Sequence, residues 1–167
     1  GSYTGAGTIF GVTGGVMEAA VRTAYFLTNK KELGPVEYKA VRGMDGVKSA
    51  EVDLNGTKVR IAVVHQIKNV DAVVEQIRSD LAAGKEPTWH FVEVMACRGG
   101  CIGGGGQPYG VTDEVRAART CALYTDDEKS TIRQSHNNPE IKAIYADFLK
   151  EPLGHKSHEL LHTTYTE

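Results

Sequence analysis

The stretch that decides the fold is residues 58–101, which read KVRIAVVHQIKNVDAVVEQIRSDLAAGKEPTWHFVEVMACRGGC. Its opening residues are rich in β-branched side chains and predict a strand. Residues 70–83 repeat apolar side chains at helical spacing, with Asn69 as the expected N-cap and Gly84 as the stop. Residues 90–95 alternate and predict another strand. The stretch therefore predicts a strand, a helix packed on the sheet, and a strand that runs into a glycine-rich loop.

Residues before this stretch predict one more helix and further strands. Glycines cluster within residues 11–15 and precede residues 16–27, which are rich in helix formers and apolar on more than one face, so we expect a buried helix there. Asn55-Gly56 tolerates positive φ at both positions and predicts a hairpin between residues 49–54 and the next strand. Residues 38–42 are a further strand-like stretch. The predicted fold class is α/β, with a mixed sheet of about four strands flanked by helices.

The remainder of the chain is predicted to be helical and more polar. Helices are expected over residues 112–124, 139–149 and 157–163. Residues 126–137 are polar and are interpreted as a solvated linker. We therefore expect two parts, residues 1–125 with the sheet and residues 126–167 as a short C-terminal helical tail.

Composition argues against two classes of protein. The 167 residues carry 19 Lys and Arg against 21 Asp and Glu, so the chain lacks a basic field and no nucleic-acid partner is expected. No apolar run approaches the roughly 20 residues that span a bilayer, so no membrane association is expected. The start at Gly1-Ser2 is typical of a tag-cleavage scar and suggests an excised piece of a longer protein. Since no signal-like segment is present, a cytoplasmic location is expected, or a periplasmic one if the longer protein carries such a segment.

The three cysteines are too few for a disulfide framework, and two of them stand in the glycine-rich loop. Cys97 and Cys101 are four residues apart at the end of a strand, where both thiols can reach one metal ion or cluster. Neighbouring glycines permit close backbone approach and leave amide N–H groups free to donate to cluster sulfurs. The spacing alone leaves open a structural loop with two inert buried cysteines, because an iron–sulfur cubane takes about four thiolates.

The residues around these cysteines carry a resemblance to a known family. Residues 95–108 read Met-Ala-Cys-x-Gly-Gly-Cys-x-x-Gly-Gly-Gly-Gln-Pro and resemble the last cysteine motif of the iron-iron hydrogenases. Residues 10–20 resemble the glycine loop and helix that precede this motif in the family, and residues 133–163 resemble the small-subunit segment that follows it. Arg98 stands where the family motif usually has Pro. Its side chain either adds a positive charge beside the expected cluster or reaches solvent.

The resemblance implies a cofactor and roles for four residues. Cys97 would ligate the 4Fe-4S cubane of the H-cluster, and Cys101 would ligate the same cubane while its sulfur bridges to the two-iron subcluster. Met95 and Phe10 would pack around the two-iron subcluster and keep it dry. The implied activity is that of an FeFe hydrogenase, an oxidoreductase that interconverts hydrogen with protons and electrons.

The family's two earlier cluster motifs and its ferredoxin-like cysteine groups are missing from this sequence. The chain is therefore expected to be a fragment or subunit that supplies two of the four cysteine ligands, is inactive alone, and holds a cubane poorly or not at all. Implied partners are the missing N-terminal lobe, ferredoxin-like electron-relay domains, and ferredoxin or nicotinamide-linked subunits. In family terms, residues 1–125 correspond to the C-terminal lobe of the H-cluster domain and residues 126–167 to a small-subunit-like helical tail.

Three other functions stay open. A non-catalytic iron–sulfur or cluster-assembly protein of the same superfamily is one, although Phe10, Met95 and residues 104–108 suit a pocket around an open iron. A zinc peptidase is another, because residues 158–162 satisfy His-Glu-x-x-His; we interpret them as a surface helix whose histidines cap or pack. The third is a purely structural or interaction domain. Cys121 is interpreted as a small buried apolar residue.

Overall fold

The structure, a computed structural model, describes residues 1–34 and 41–165. Its strands are β1 (Val47–Leu54), β2 (Thr57–His65) and β3 (Phe91–Met95). Its helices are α1 (Gly5–Thr8), α2 (Gly15–Asn29), α3 (Val70–Ala82), α4 (Asp113–Lys129), α5 (Pro139–Ile144) and α6 (His155–Leu161). Helices flank a mixed sheet, so the predicted α/β class is confirmed.

The sheet of the described residues has the order β1-β2-β3. β1 and β2 pair antiparallel, and Asn55 and Gly56 between them adopt φ of 54° and 89°, so the predicted hairpin is confirmed. β2 and β3 pair in parallel, with His65 opposite Met95. Because these two strands end at the same edge of the sheet, the residues that follow them lie close together.

The expectation of about four strands is one too high for the part of the chain that the structure describes. The stretch 38–42 was the additional strand, and residues 38–40 lie outside the described residues. Val41 and Arg42 are described and are not in a strand. Val41 is buried in the core, and the guanidinium of Arg42 lies 3.8 Å from the ring centroid of Tyr124. These tertiary contacts outweigh the local preference for a strand.

Helix α2 and the hairpin strands form the main core. Its apolar side chains include Met17, Val21, Val52, Ile61 and Val63. The helix begins after Gly14, which adopts φ 91° and where a Cβ would lie 2.2 Å from the carbonyl oxygen of Val41. Glycine is therefore required at this close approach, and the backbone there can start α2 directly on the core.

Helix α3 has both of its predicted cap residues, but only one of them acts as predicted. Gly84 adopts φ 65° and its N–H donates to the carbonyl of Leu81, so the predicted stop is confirmed. Asn69 is the N-cap residue of α3, as predicted, but its side chain accepts no hydrogen bond from the first turn of the helix. Its side chain donates to the carbonyl oxygen of His65 at 2.7 Å instead, with the backbone at φ −91° and ψ −12°. Asn69 thereby anchors the start of α3 to the end of β2.

The predicted linker begins too early. Thr112 caps α4 as predicted, by accepting from the N–H of Val115 at 3.3 Å, but the helix continues to Lys129 instead of ending near Tyr124. Residues 126–129, interpreted as solvated linker, are therefore the last turn of α4. The C-terminal helices follow in the predicted order, and no helix of the described residues is long and apolar enough to cross a bilayer.

A buried group of charged side chains, which we call the ion network, holds α4 to α2. Arg22 donates to both carboxylate oxygens of Asp127 at 2.8 Å and also pairs with Glu18. Arg42 donates to both oxygens of Glu18 at 2.8 Å, and Arg133 donates to Asp127 at 2.6 Å. Burial alone would raise the pKa of Asp127, yet the hydrogen bonds from Arg22 and Arg133 lower it. The two fully buried carboxylates are thus paired, as their desolvation requires.

Candidate metal centre

The candidate site forms where β2 and β3 end together. Just beyond the parallel pair, the N–H of Gln66 donates to the carbonyl of Met95 at 2.9 Å. The chain then enters residues 96–108, which we call the cysteine loop. Cys97 and Cys101 are both exposed on it, so the alternative of two buried inert cysteines is wrong. The carboxyl ends of parallel strands are the usual position of ligand sites in open α/β sheets.

Tight turns fold the cysteine loop around its first thiol. The N–H of Gly100 donates to the carbonyl of Cys97, and the N–H of Gly104 donates to that of Cys101, both at 3.1 Å. A Cβ at Gly104 would lie 3.1 Å from Cys97 Sγ. The loop therefore brings backbone against the Cys97 thiol at a point where a larger side chain would crowd the sulfur.

The glycine loop, residues 9–15, packs against the cysteine loop. The N–H of Thr13 donates to the carbonyl of Gly99 at 3.0 Å. A Cβ at Gly100 would lie 2.8 Å from both Met95 Sδ and Thr13 N, so these groups meet at the middle of the cysteine loop. Phe10 stands on the same glycine loop with 47% of its surface exposed. The structure thus places Met95 against the cysteine loop and leaves Phe10 partly open beside it.

Glu93 of β3 fixes the glycine loop, a role that the sequence analysis missed. Its buried carboxylate accepts from the N–H groups of Gly14 and Met17, each at 2.7 Å. Helix α2 has no side-chain cap of its own, and Glu93 supplies the acceptor and a negative charge at the helix start. The available signal was a helix that begins with Gly14-Gly15, because its first N–H groups need acceptors from elsewhere.

Lys48 is a second buried charge beneath these loops. Its Nζ donates to the carbonyl of Gly43 at 2.9 Å and lies 3.4 Å from both oxygens of Thr13. Burial lowers the pKa of Lys48 to about 8, and attraction to Glu93 and Asp45 opposes that shift. Lys48 therefore links β1 to the glycine loop at an energetic cost of desolvation.

His65, at the end of β2, contacts the cysteine loop directly. Its ring is fully buried, with Nδ1 2.8 Å from the amide nitrogen of Gly99 and Nε2 3.2 Å from the carbonyl oxygen of Met44. Burial is the main cause that lowers the pKa of His65. The sequence carries no local signal for this contact, because Gly99 is 34 residues away along the chain.

The glycine amides of the cysteine loop are less free than expected. The N–H of Gly99 donates to His65, and those of Gly100, Gly103 and Gly104 donate to backbone carbonyls. The expectation that such amides are left for cluster sulfurs is therefore wrong for these four. The tight turns of the loop use the amides of Gly100, Gly103 and Gly104 as their own donors, and the His65 ring takes that of Gly99.

Arg98 forms an ion pair with a carboxylate of the same chain. Its guanidinium donates to both carboxylate oxygens of Asp113 at 2.9 and 2.6 Å, at the start of α4. This contact is the main cause that lowers the pKa of Asp113 to about 2. Arg116 donates to the same carboxylate at 2.9 Å, so Arg98, the residue that departs from the family motif, shares its counter-charge with a second arginine.

The histidine motif lies far from this arrangement in the sequence, on α6. His158 and His162 approach each other with Nδ1 atoms 3.0 Å apart, and both are exposed. Oε2 of Glu159 lies 4.0 Å from Nδ1 of His155.

Cys121, the third cysteine, is exposed on α4, so its interpretation as a buried apolar residue is wrong.

The donor set fits half of an iron–sulfur centre. Thiolates are the ligands that iron–sulfur clusters prefer, and a cubane takes about four of them. Cys97 and Cys101 are two such donors on one exposed loop. Within the described part of the chain, no group of three or more His, Cys, Asp or Glu side chains could hold a metal ion. The further ligands of a cubane must therefore come from outside these residues.

Comparison with known proteins identifies relatives along the whole chain. The family profile described as "Iron only hydrogenase large subunit, C-terminal domain" matches residues 1–105, and that described as "Iron hydrogenase small subunit" matches residues 113–167. The chain is 48% identical over 166 residues to the NADP-reducing hydrogenase subunit HndD of Solidesulfovibrio fructosivorans, which covers 99% of this chain and 27% of that protein. It is 35% identical over 130 residues to a probable cytosolic Fe-S cluster assembly factor of Drosophila willistoni, covering 78% of this chain and 26% of that protein.

Among solved structures, a variant of the FeFe hydrogenase HydA1 from Chlamydomonas reinhardtii superposes with a TM-score of 0.69 at 39% identity, covering 93% of this chain and 45% of that one. The chain thus spans little more than a quarter of the relatives' length and less than half of the solved chain. The first profile covers more than half of the chain, and the fold agrees with it. The chain therefore belongs to the iron-only hydrogenase family.

Proposed function

We propose that this chain is one part of an iron-iron hydrogenase and that Cys97 and Cys101 supply two of the four cysteine ligands of its H-cluster. The observation that carries the proposal is the exposure of both thiols on one glycine-walled loop beside Met95, at the carboxyl ends of two parallel strands. The two family profiles and the 48% identity to a hydrogenase subunit support it.

The family resemblance suggests a part for each of these residues. When bound, the H-cluster, a cubane joined to a two-iron subcluster, supplies the open iron and the redox chemistry that interconvert hydrogen with protons and electrons. The Cys97 thiolate would hold the cubane, and the Cys101 thiolate would hold the cubane and join it to the subcluster. Met95 and Phe10 would present a polarizable and an aromatic side chain to the cofactor and exclude water. Glu93 keeps the loop that bears Phe10 in place through Gly14.

In this proposal, the other ligands and the electron path come from segments that this sequence does not contain. An N-terminal lobe would bring the other thiolates, and ferredoxin-like domains would relay electrons to ferredoxin or a nicotinamide-linked subunit. The short coverage of the relatives supports missing domains. Exposed apolar side chains support them too: Phe10 beside the site is 47% exposed, and Phe91 and Val94 of β3, at one edge of the described sheet, are each 51% exposed.

We also propose the division into a C-terminal lobe, residues 1–125, and a small-subunit-like tail, residues 126–167. Two consecutive family profiles, ending at residue 105 and beginning at residue 113, support a two-part organisation. Helix α4 crosses the proposed boundary, and the ion network holds its end to the lobe. The tail thus begins in the last turn of α4, which the ion network holds against the lobe.

The test is hydrogen evolution and iron content in the complete protein that contains this chain. Cys101→Ser should abolish turnover and the retention of the two-iron subcluster, because an alkoxide is a harder ligand than a thiolate. Cys97→Ser should weaken the cubane and leave at most a trace of activity, and Met95→Leu should lower turnover without loss of iron. Cys121→Ser, an exposed cysteine on α4, is the matched control and should retain both. Full activity in Cys101→Ser would show that other residues hold the cluster.

A second candidate is a non-catalytic iron–sulfur or cluster-assembly protein, favoured by the 35% identity to a probable cytosolic Fe-S cluster assembly factor. Such a protein could keep both cysteines but needs no pocket around an open iron. Iron-loaded complete protein that evolves no hydrogen with a strong reductant would favour this candidate over the hydrogenase.

A further inference from the structure

We propose that His65 is a positioning residue of the cysteine loop: a neutral imidazole with its proton on Nε2 that fixes the Gly99 amide and, through it, the direction of the Cys97 and Cys101 thiolates. The proposal rests on the function proposed above, since it concerns how these thiolates meet a cluster. It assigns a role to a buried side chain that is not itself a ligand.

The two contacts of the ring determine its tautomer. The Gly99 N–H can only donate, so Nδ1, 2.8 Å away, must be unprotonated. The Met44 carbonyl can only accept, so Nε2, 3.2 Å away, must carry the proton. One imidazole therefore satisfies two backbone groups that come from different segments, and its protonation at Nδ1 would break the contact with the cysteine loop.

His65 is held on a rigid frame. Its own N–H donates to the carbonyl of Gly46 at 3.0 Å, and its carbonyl accepts from the Asn69 side chain at 2.7 Å. In the parallel ladder it lies opposite Met95, the last residue of β3. The ring is therefore fixed relative to both strands that end at the site, and it can transmit that position to the loop.

Gly99 is the point at which the loop is most sensitive to such a contact. It lies midway between Cys97 and Cys101, two residues from each. Its N–H donates to His65 and its carbonyl accepts from Thr13, so both of its polar groups are held from outside the loop. Gly99 and the next residue, Gly100, adopt φ of 79° and 92°, conformations that need such contacts because glycine is otherwise free to leave them.

The orientation of metal ligands by hydrogen bonds from outside the ligand set tunes the metal centre. If the Gly99 amide is released from His65, the separation and direction of the thiolates change. The freed N–H can then donate to a cluster sulfur, and hydrogen bonds to the sulfurs are one of the factors that set the potential of a cluster. Release should raise the reduction potential of the cubane, because an added donor stabilises its more negative reduced form.

Two substitutions separate the functions of the ring nitrogens. His65→Asn places an oxygen near the position of Nδ1 and can still accept from Gly99. His65→Gln reaches the position of Nε2 and can donate to the Met44 carbonyl, but it leaves Gly99 without its acceptor. In the chain without iron, amide exchange at Gly99 should be about tenfold faster in His65→Gln than in wild type and near wild type in His65→Asn. Exchange in the middle of β2, at Val63, is the control for folding and should be unchanged.

Nitrogen NMR of the imidazole should show an unprotonated Nδ1 and a protonated Nε2 in wild type. Equal exchange at Gly99 in the two variants, or a protonated Nδ1, would overturn the proposal. In the complete, iron-loaded protein, His65→Gln should shift the cubane's electron paramagnetic resonance signal and raise its midpoint potential, and His65→Asn should restore both. Unchanged cubane properties in His65→Gln would also overturn it. If the complete wild-type protein holds no cubane on Cys97 and Cys101, the proposed function is refuted instead. The amide exchange of Gly99 is measured without iron and does not depend on that function.

Discussion

The ion network involves α2 and the cysteine loop packs against the glycine loop that precedes α2, but the two are built in opposite ways. In the ion network, the carboxylates of Glu18 and Asp127 are fully buried and are paired with arginines of the same chain. In the cysteine loop, the backbone is held from outside by Thr13 and His65 while the thiols are exposed. The ion network satisfies its charged groups within the chain, whereas the cysteine loop presents ligands outward. Substitutions in the first should change stability, and substitutions of the thiols should change cofactor chemistry.

The largest stability effect is expected for Arg22→Met. This change leaves the buried carboxylates of Glu18 and Asp127 without their shared cation, which should lower the free energy of unfolding by about 3–5 kcal/mol. Urea denaturation of the chain measures it. Arg78→Met is the matched control, because Arg78 is 70% exposed and pairs with Glu75 on the surface, so it should change little. Equal effects of the two substitutions would contradict the role given to the ion network.

Lys48 should make stability depend on pH in the alkaline range. Its pKa is about 8 in the folded chain and 10.5 when exposed, so below pH 8 the folded state bears the cost of a buried charge. As the pH rises from about 8 to about 10.5, the folded state releases this proton before the unfolded state does, and stability increases. The free energy of unfolding should rise by up to about 3 kcal/mol relative to Lys48→Met over that range. A constant difference between wild type and Lys48→Met would contradict the burial of a charged lysine beneath the glycine loop.

A smaller effect is expected for Asp113→Asn, which leaves both Arg98 and Arg116 without their shared carboxylate partner. In the complete, iron-loaded protein, the uncompensated cation beside Cys97 should raise the midpoint potential of the cubane, because a positive charge favours its reduced form. Glu114→Gln, one residue further along α4, removes the same charge from a residue outside this ion pair and is the control. Redox titration of the two variants measures the midpoint potential of the cubane, and equal shifts would show that only the general charge of the surface matters.

The same ion pair should make the stability of the chain depend on pH in the acidic range. Because the pKa of Asp113 is about 2, the pair contributes stability above the unfolded pKa of 3.8, and this stability is lost as the pH falls through 2.

Local patterns predicted the parts of the fold that depend on local chemistry. Asn55-Gly56 predicted the hairpin because two adjacent residues with positive φ are needed there, and Gly84 predicted the end of α3. The position of the cysteine loop followed from the alternating residues 90–95 and the glycines after them. The family resemblance, which covers the same loop, added the expected cofactor.

Contacts between distant parts of the chain explain most of what the sequence did not predict. Arg22 and Asp127 are 105 residues apart, and their pairing buries Asp127 in a polar run that forms the last turn of α4. His65 and Gly99 are 34 residues apart, so no local pattern indicates that an imidazole holds the cysteine loop. Asn69 had a plausible capping pattern, but its side chain donates to the carbonyl of His65, at the end of β2, instead of accepting from the helix.

We propose that this chain holds only half of the ligands of an iron–sulfur centre. Anaerobic reconstitution with iron and sulfide, followed by measurement of iron per monomer and of electron paramagnetic resonance, tests it most directly. We expect far less than one cubane per monomer for the isolated chain, because two clustered thiolates are too few, and a full cubane for the complete protein. One cubane per monomer of the isolated chain, lost on Cys97→Ser, would contradict the claim.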